Sequence, residues 1–166
     1  MTHLLDANVF IAAKNFYYRH SICPGFWEWV DSAVGGEFGT IDRVCSELTK
    51  GKDVLSEWFS ARKDASWVAS TKAEKTQQAM VKVANWVAEP NKRNPVAQAK
   101  FLGGADPWLL AHAMANGSTV VTLETPKNSP NVVSLADACA AFGVPVIKTW
   151  ELLELRKVQF MLPKKK

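Results

Sequence analysis

Residues 118–124 read STVVTLE, a β-rich run that ends in a glutamate. The run is apolar enough to be covered on both faces, as strands of parallel sheets are. Before it stands Asn116-Gly117, a typical end of a helix. After it, Ser134 and Asp137 have the spacing of a capping box, which begins a helix. A strand placed between two helices is the repeating unit of an α/β protein.

The same alternation extends in both directions from this run. Other short strands are predicted at residues 3–6, 37–41 and 144–147. Helical patterns separate these strands and begin at Pro24-Gly25, Ile41, Leu55, Thr71, Val96, Asp106, Ser134 and Thr149. No repeat and no linker divides the 166 residues. We therefore expect a single α/β domain over 1–166, with three layers (α/β/α), right-handed connections and a mostly parallel central sheet.

Two helix boundaries in this pattern are specific predictions. We expect the helix that begins at Pro24 to end at Gly35-Gly36. Thr71 and Glu74 have capping-box spacing, so the hydroxyl and the carboxylate are expected to satisfy free backbone N–H groups at the start of a helix. That helix has to stop before Pro90, because proline cannot continue it.

Four acidic residues stand beside these apolar elements. Asp6 follows the first strand, Glu124 closes the run described above, Asp106 precedes a helix and Glu47 lies at the edge of a helical apolar stripe. Carboxylates at the carboxyl ends of parallel strands and at helix starts converge on one crevice of an open α/β sheet. Several carboxylates in one crevice repel one another unless a cation lies among them. Oxygen ligands of this kind favour Mg²⁺ or Mn²⁺, and the sequence therefore indicates a metal-dependent enzyme.

Each acid also has a structural explanation when it is taken alone. Asp106 before Pro107 is a good helix N-cap, and the others could be carboxylates that face water. The neighbours of the acids favour the functional interpretation. Asn8 lies on the same face as Asp6, and Thr122 lies on the same face as Glu124. We expect these two side chains to support the site.

Four segments, in this order, resemble the motifs of PIN-domain ribonucleases. They are DANVFI at 6–11, VCSEL at 44–48, GADPWLLA at 104–111 and VVTLE at 120–124. The likeness is greatest to the bacterial and archaeal branch related to VapC-type toxins, as PGFW at 24–27 also indicates. The resemblance covers nearly the whole chain.

The resemblance implies a function and a set of site residues. Asp6, Glu47, Asp106 and Glu124 match the four acids of the family, where many members have aspartate at the last position, and Asn8 and Thr122 match small polar positions beside the metals. It implies a Mg²⁺- or Mn²⁺-dependent endoribonuclease that is the toxin of a type II toxin–antitoxin pair, with RNA as substrate, an antitoxin protein as partner and dimerisation as a common property. The sequence leaves open whether the site holds one metal ion or two. It also leaves open whether Glu124 binds a metal directly or through water.

Two rival interpretations remain. A metal-dependent phosphatase of the haloacid-dehalogenase type would use Asp6 as nucleophile, but it would need a second acid where Asn8 stands. A catalytically silent PIN module would bind RNA or a protein partner without cutting it. Sequence motifs for zinc binding, nucleoside triphosphate binding or a nucleophilic serine elbow are absent from the chain.

Composition and charge fit a nucleic-acid partner in a reducing compartment. The formal net charge is +4, part of it in the basic tail at 164–166, and basic pairs occur at Lys14/Arg19, Lys50/Lys52 and Lys92/Arg93. The three cysteines have no metal or disulfide spacing, which indicates buried free thiols. No leader and no membrane span is evident, so we expect a cytoplasmic protein without membrane contact. Four of the seven tryptophans fall on apolar helical faces and are expected in the core (Trp27, Trp58, Trp86 and Trp108), while the positions of the other three stay open (Trp29, Trp67 and Trp150).

Overall fold

Helices and strands alternate along the chain in the computed structural model, which describes residues 1–33 and 37–161. The elements are, in order, β1 (His3–Leu5), α1 (Ala7–Asn15), α2 (Pro24–Asp31), β2 (Phe38–Ile41), α3 (Asp42–Leu48), α4 (Val54–Ser60), β3 (Val68–Ala69), α5 (Glu74–Val87), α6 (Pro95–Leu102), α7 (Asp106–Asn116), β4 (Thr119–Val121), α8 (Leu135–Ala141), β5 (Val146–Ile147) and α9 (Thr149–Leu155).

The strands form one parallel sheet in the order β3-β2-β1-β4-β5. The chain builds outward from β1 through β2 to β3, and then returns to the other side of β1 with β4 and β5. The strand order therefore reverses between β1 and β4, which is where open α/β sheets leave a crevice at their carboxyl ends. With helices on both sides of the sheet, the predicted three-layer α/β/α fold is confirmed.

The last two residues of each strand that flanks the reversal are fully buried. Leu4 and Leu5 of β1 and Val120 and Val121 of β4 have no exposed surface. Helices on both faces bury such strands, which explains why their sequences are continuously apolar instead of alternating. This burial fixes the position of the residues that follow each strand.

An aromatic cluster fills the core beside α1 and α4. Phe10 meets Phe59 edge to face with ring centroids 4.9 Å apart, and Trp58 packs between Trp27 and Trp67. The predicted core packing is confirmed for Trp27 and Trp58, and Trp67, which the sequence left undecided, is buried with them. Trp150 differs, since 55% of its surface is exposed.

One local prediction was wrong, one strand was missed, and one predicted helix end lies outside the described residues. Thr71 does not cap α5; its hydroxyl and its N–H both donate to the Asp42 carboxylate, and the helix starts at Glu74. Strand β3 was not predicted, because two residues carry too little pattern. Helix α2 ends at Asp31, and the predicted stop at Gly35-Gly36 lies in the part that the structure does not describe, as does the basic tail at 164–166.

Other features agree with the predictions. Gly117, with φ of 63°, ends α7 in the left-handed conformation that glycine favours, and Ser134 accepts a hydrogen bond from the Asp137 N–H at the start of α8. Cys45 and Cys139 are buried thiols, while Cys23 is half-buried, and all three are free. Among the described helices, none combines the length and the apolar character that a membrane crossing requires.

Candidate metal centre at the carboxyl edge of the sheet

The pairing of β1 with β4 sets the first part of the site. Leu5 lies opposite Val121 in this register, so the next residues, Asp6 and Thr122, leave the sheet side by side. The Asp6 N–H donates to the Val121 carbonyl oxygen at 3.0 Å, which continues the pairing one residue beyond the strand. The acid from the first strand and the hydroxyl from the fourth are thus neighbours because of the strand order.

The Thr122 hydroxyl is the centre of a hydrogen-bond network. It donates to Asp6 Oδ2 at 2.7 Å and accepts from Asn8 Nδ2 at 2.9 Å and from the Glu124 N–H at 3.1 Å. Asn8 Oδ1 in turn accepts from the Leu123 N–H at 3.0 Å. Thr122 has no exposed surface, so this network replaces water around the group that orients Asp6.

Neither aspartate of the site performs the structural role that its position offers. Asp6 is the N-cap residue of α1, but its carboxylate makes no capping hydrogen bond. Asp106 was predicted as an N-cap; instead Ala105 holds that position, and Asp106 is the first residue inside α7 with Pro107 behind it. Both carboxylates therefore remain available for other ligands.

The two glutamates are each held by one backbone N–H group. Glu47 Oε1 accepts from the Ala105 N–H at 2.8 Å, and Glu124 Oε2 accepts from the Leu135 N–H at 2.7 Å. In each case the second carboxylate oxygen has no hydrogen-bond partner among the described residues. The Ala105 contact also fixes Glu47 of α3 next to the start of α7, one residue from Asp106.

Electrostatics connect all four acids. Burial, followed by the charges of Asp6, Glu124 and Glu47, raises the pKa of Asp106 to about 8. Burial also raises the pKa of Asp6 to about 6; the charge of Glu124 adds to this increase, and the hydrogen bond from Thr122 opposes it. The predicted acids thus act on one another through space, although they come from four different segments of the chain.

Cys139 gives a second indication that the acids share one region. Its thiol is fully buried in α8, and burial together with the charges of Asp6, Asp106 and Glu124 raises its pKa to about 12. A thiol in such surroundings stays protonated and is a poor metal ligand. We therefore place Cys139 in the buried core next to the site and not among its ligands.

The donor set fits a hard divalent cation. Asp6 is only 3% exposed, and none of the ion pairs in the described structure involves any of the four acids. Buried carboxylates without a cationic partner are costly, and a Mg²⁺ or Mn²⁺ ion would remove that cost.

The same acids are not already gathered into a compact ligand set. Within residues 1–33 and 37–161, no three His, Cys, Asp or Glu side chains form a ready-made metal-binding group. The mutual effects on pKa indicate that the carboxylates lie in one region. The fit to a cation therefore rests on the burial of Asp6, the partial burial of Asp106 and the repulsion among the four acids.

Comparison with known proteins places this α/β chain with its acidic crevice in a family. A family model described as "Domain of unknown function (DUF4411)" matches residues 3–160, and the chain therefore belongs to the DUF4411 family. Neither a curated protein nor a solved structure matches the chain.

The sequence predicted the six candidate side chains but not the groups that hold the two glutamates. These are the N–H groups of Ala105 and Leu135, which carry no side-chain signal. The Lys148 ammonium, which donates to the Glu124 carbonyl oxygen, was also not predicted.

Replacing Thr122 by valine tests the role of the hydrogen-bond network. We expect metal affinity or activity to fall about 10- to 100-fold, because the group that orients Asp6 is lost while the shape of the side chain is retained. Unfolding free energy should also fall by about 1–3 kcal/mol, since Asn8 Nδ2 and the Glu124 N–H lose an acceptor. Thr122→Ser, which keeps the hydroxyl, is the matched control and should stay within a few-fold of wild type. Equal activity of the valine and serine variants would contradict this role.

Proposed function

We propose that the protein is a divalent-metal-dependent endoribonuclease that hydrolyses RNA phosphodiester bonds. The observation that carries the proposal is the pair Asp6 and Asp106, a buried and a half-buried carboxylate without an ion-pair partner in the described structure, at the crevice where the strand order reverses. The resemblance of the four motifs to PIN-domain ribonucleases supplies the reaction and the substrate class.

The roles of the side chains follow from their contacts. Asp6 and Asp106 would hold the principal Mg²⁺ or Mn²⁺ ion, while Glu47 and Glu124 would complete its coordination or that of a second ion. A bound divalent ion supplies charge neutralisation on the phosphate and a more acidic water. Thr122 fixes the Asp6 carboxylate by its hydrogen bond, and Asn8 fixes Thr122. None of these residues has to form a covalent bond to the substrate.

Two observations favour this assignment over a phosphatase that uses Asp6 as nucleophile. Asp6 is almost fully buried and its Oδ2 atom accepts a hydrogen bond from Thr122, both of which reduce its access to a phosphorus atom. Asn8 stands where such an enzyme needs an acid, and it is engaged with Thr122 and the Leu123 N–H.

A cleavage assay tests the proposal directly. The purified protein should cut single-stranded or structured RNA in the presence of Mg²⁺ or Mn²⁺, and chelation of the metal with EDTA should stop the reaction. Calorimetry with Mn²⁺ separates a silent module from an enzyme, because an enzyme needs metal bound by the four acids. Absence of both cleavage and metal binding would refute the proposal.

We further propose that the protein is the toxin of a two-component pair whose partner is an inhibitor protein. An apolar cavity of about 240 Å³ near the site supports a protein partner. Exposed aromatic side chains of Phe16, Tyr17 and Trp150 line it, and Leu123 connects it to the residues that follow β4. Large exposed apolar groups that lie together are typical of interaction sites.

Expression in a bacterial host tests the toxin proposal. Induction of the wild-type chain alone should arrest growth, because uncontrolled RNA cleavage stops translation. Induction of Asp6→Asn to the same protein level should allow normal growth, since a ligand of the principal ion is lost. Growth curves and immunoblots provide the measurement. Equal arrest by both forms would show that toxicity does not come from this site.

A further inference from the structure

A polar cavity of about 200 Å³ opens on the outer wall of the acidic site. Glu47 belongs to both, since it lines the cavity and also accepts a hydrogen bond from Ala105. Arg43 and Lys50 bring two cationic side chains to the same cavity, and both residues are exposed. A pair of cations therefore stands beside Glu47, one of the four acids of the site.

Arg43 is held in position by an aromatic ring. Its guanidinium carbon lies 4.7 Å from the ring centroid of Trp108, a half-buried residue of α7. Stacking restrains the planar guanidinium and leaves its N–H groups free to bind an anion, so less conformational freedom is lost when a ligand arrives. Trp108 is two residues from Asp106 on the same helix, so this contact holds the Arg43 guanidinium near the start of the helix that carries Asp106.

Three of the other basic groups that the sequence indicated are already engaged. Lys14 forms an ion pair with Asp53 at 2.6 Å, and Lys92 pairs with Glu89 at 2.6 Å. Arg93 lies over the Trp86 ring and its guanidinium also donates a hydrogen bond to the Trp86 carbonyl oxygen. Neither Arg43 nor Lys50 takes part in an ion pair within the described part of the chain.

We infer that the cavity formed by Arg43, Lys50 and Trp108 binds a backbone phosphate of single-stranded nucleic acid and guides the strand to the acidic site. The inference rests on the proposed function, since it places the strand relative to the bond that is cut. Arg43 and Lys50 are positioning residues in this assignment. A polyanion that approaches four carboxylates is repelled, and two adjacent cations offset that repulsion.

The inference requires recognition of phosphate and not of a base. The cavity offers point charge from Lys50 and a planar guanidinium from Arg43, and both suit phosphate oxygens. Trp108 is covered by Arg43 and is not open to a stacked base. Binding through this cavity should consequently depend on salt, and it should be similar for RNA and single-stranded DNA of the same sequence.

Steady-state cleavage of a labelled RNA oligonucleotide by the double variant Arg43→Ala/Lys50→Ala tests the inference. We expect KM to rise about tenfold while kcat stays within about twofold, because the two residues contact a phosphate that is not the one cut. Lys50→Arg keeps the charge and leaves Arg43 stacked on Trp108, so it should stay within a few-fold of wild type. The control Lys72→Ala/Lys82→Ala removes the same charge from exposed positions elsewhere and should change neither constant.

Binding at several salt concentrations gives a readout that is independent of cleavage. In an Asp106→Asn background, fluorescence anisotropy with RNA and with single-stranded DNA should give a log–log salt slope that is lower by roughly 1.4 in Arg43→Ala/Lys50→Ala, about 0.7 for each cation lost. The thermal unfolding curve of each variant shows whether it is folded.

The outcomes separate this inference from the proposed function. If the wild type cleaves RNA and the double variant has an unchanged KM and an unchanged salt slope, the cavity does not bind phosphate. The proposed nuclease function then still stands. If the wild type binds RNA through Arg43 and Lys50 but does not cut it, the proposed nuclease function is refuted and phosphate binding by the cavity is supported. A wild type that neither binds nor cuts RNA overturns both.

Discussion

Replacing Asp106 by asparagine is expected to abolish RNA cleavage and to stabilise the metal-free protein at the same time. The kcat should fall at least about a thousandfold, because a charged ligand of the principal ion becomes neutral. Stability should rise because burial and three neighbouring carboxylates already raise the pKa of Asp106 to about 8, so its charge is unfavourable without metal.

The opposite effects of the substitution on activity and on stability distinguish a metal ligand from a structural residue. Asparagine has nearly the shape of aspartate and can occupy the first position of α7, so the helix should be retained. A substitution that damages the fold lowers activity and melting temperature together. A substitution that removes one of several like charges from a shared site lowers activity and raises the melting temperature of the metal-free form.

Cleavage assays and thermal unfolding in EDTA provide the two measurements. Asp6→Asn should behave in the same way, with a smaller gain in stability because the pKa of Asp6 is raised only to about 6 and its carboxylate accepts the Thr122 hydrogen bond. Asp64→Asn is the control; this exposed residue belongs to none of the described ion pairs and should leave both properties unchanged. Full activity in folded Asp6→Asn and Asp106→Asn would refute the metal site.

The sequence was informative about the site because the local signals and the topology agree. Apolar runs predicted the strands before Asp6 and Glu124, and their alternation with helices predicted a parallel sheet. Carboxyl ends of parallel strands lie at one edge, so the positions of both acids followed without knowledge of strand order. That β1 lies beside β4, which brings Asp6 to Thr122, depends on long-range pairing and could not be deduced from local patterns.

The errors occurred where two structural roles differ by a single residue or a single partner. Asp106-Pro107 fits an N-cap followed by the first helical residue, but the helix begins one residue earlier and leaves the carboxylate free. Thr71 has the spacing of a capping box, yet Asp42 of another helix is a better partner for its hydroxyl. Helix and capping propensities describe which conformations a segment can adopt in isolation. Tertiary contacts decide which of these conformations the folded protein has.

The stacking of Arg43 on Trp108 illustrates a third kind of limit. On the sequence, Lys50 was paired with Lys52 because the two are close along the chain. In the structure, the residue that shares a cavity with Lys50 is Arg43, which lies two turns earlier and is held by an aromatic ring from α7. A net positive charge indicates that the folded surface has basic regions. It does not indicate which basic residues lie together in each region.

The stabilisation that Mg²⁺ or Mn²⁺ gives to the protein is expected to increase strongly with pH. The folded-state pKa values of Asp106, about 8, and Asp6, about 6, lie above the ordinary value of 3.8. Between pH 4 and 8 these two carboxyl groups therefore bind more protons in the metal-free folded protein than in the unfolded chain, and their contribution to the unfolding free energy falls as pH rises. The loss should be on the order of a few kcal/mol, or roughly 5–10 °C in melting temperature.

A divalent ion competes with the protons that the acids would otherwise retain. At pH 5 both aspartates hold protons in the folded state, so the ion gains little; at pH 8.5 they are charged, and the ion relieves their repulsion. Melting curves at pH 5, 7 and 8.5, with EDTA or with Mg²⁺ at constant ionic strength, measure the difference. In Asp6→Asn/Asp106→Asn the pH slope and the metal effect should both be greatly reduced. A metal effect that is equal at all three pH values would show that the ion binds elsewhere, because an ion held by Asp6 and Asp106 has to displace the protons that their raised pKa values retain.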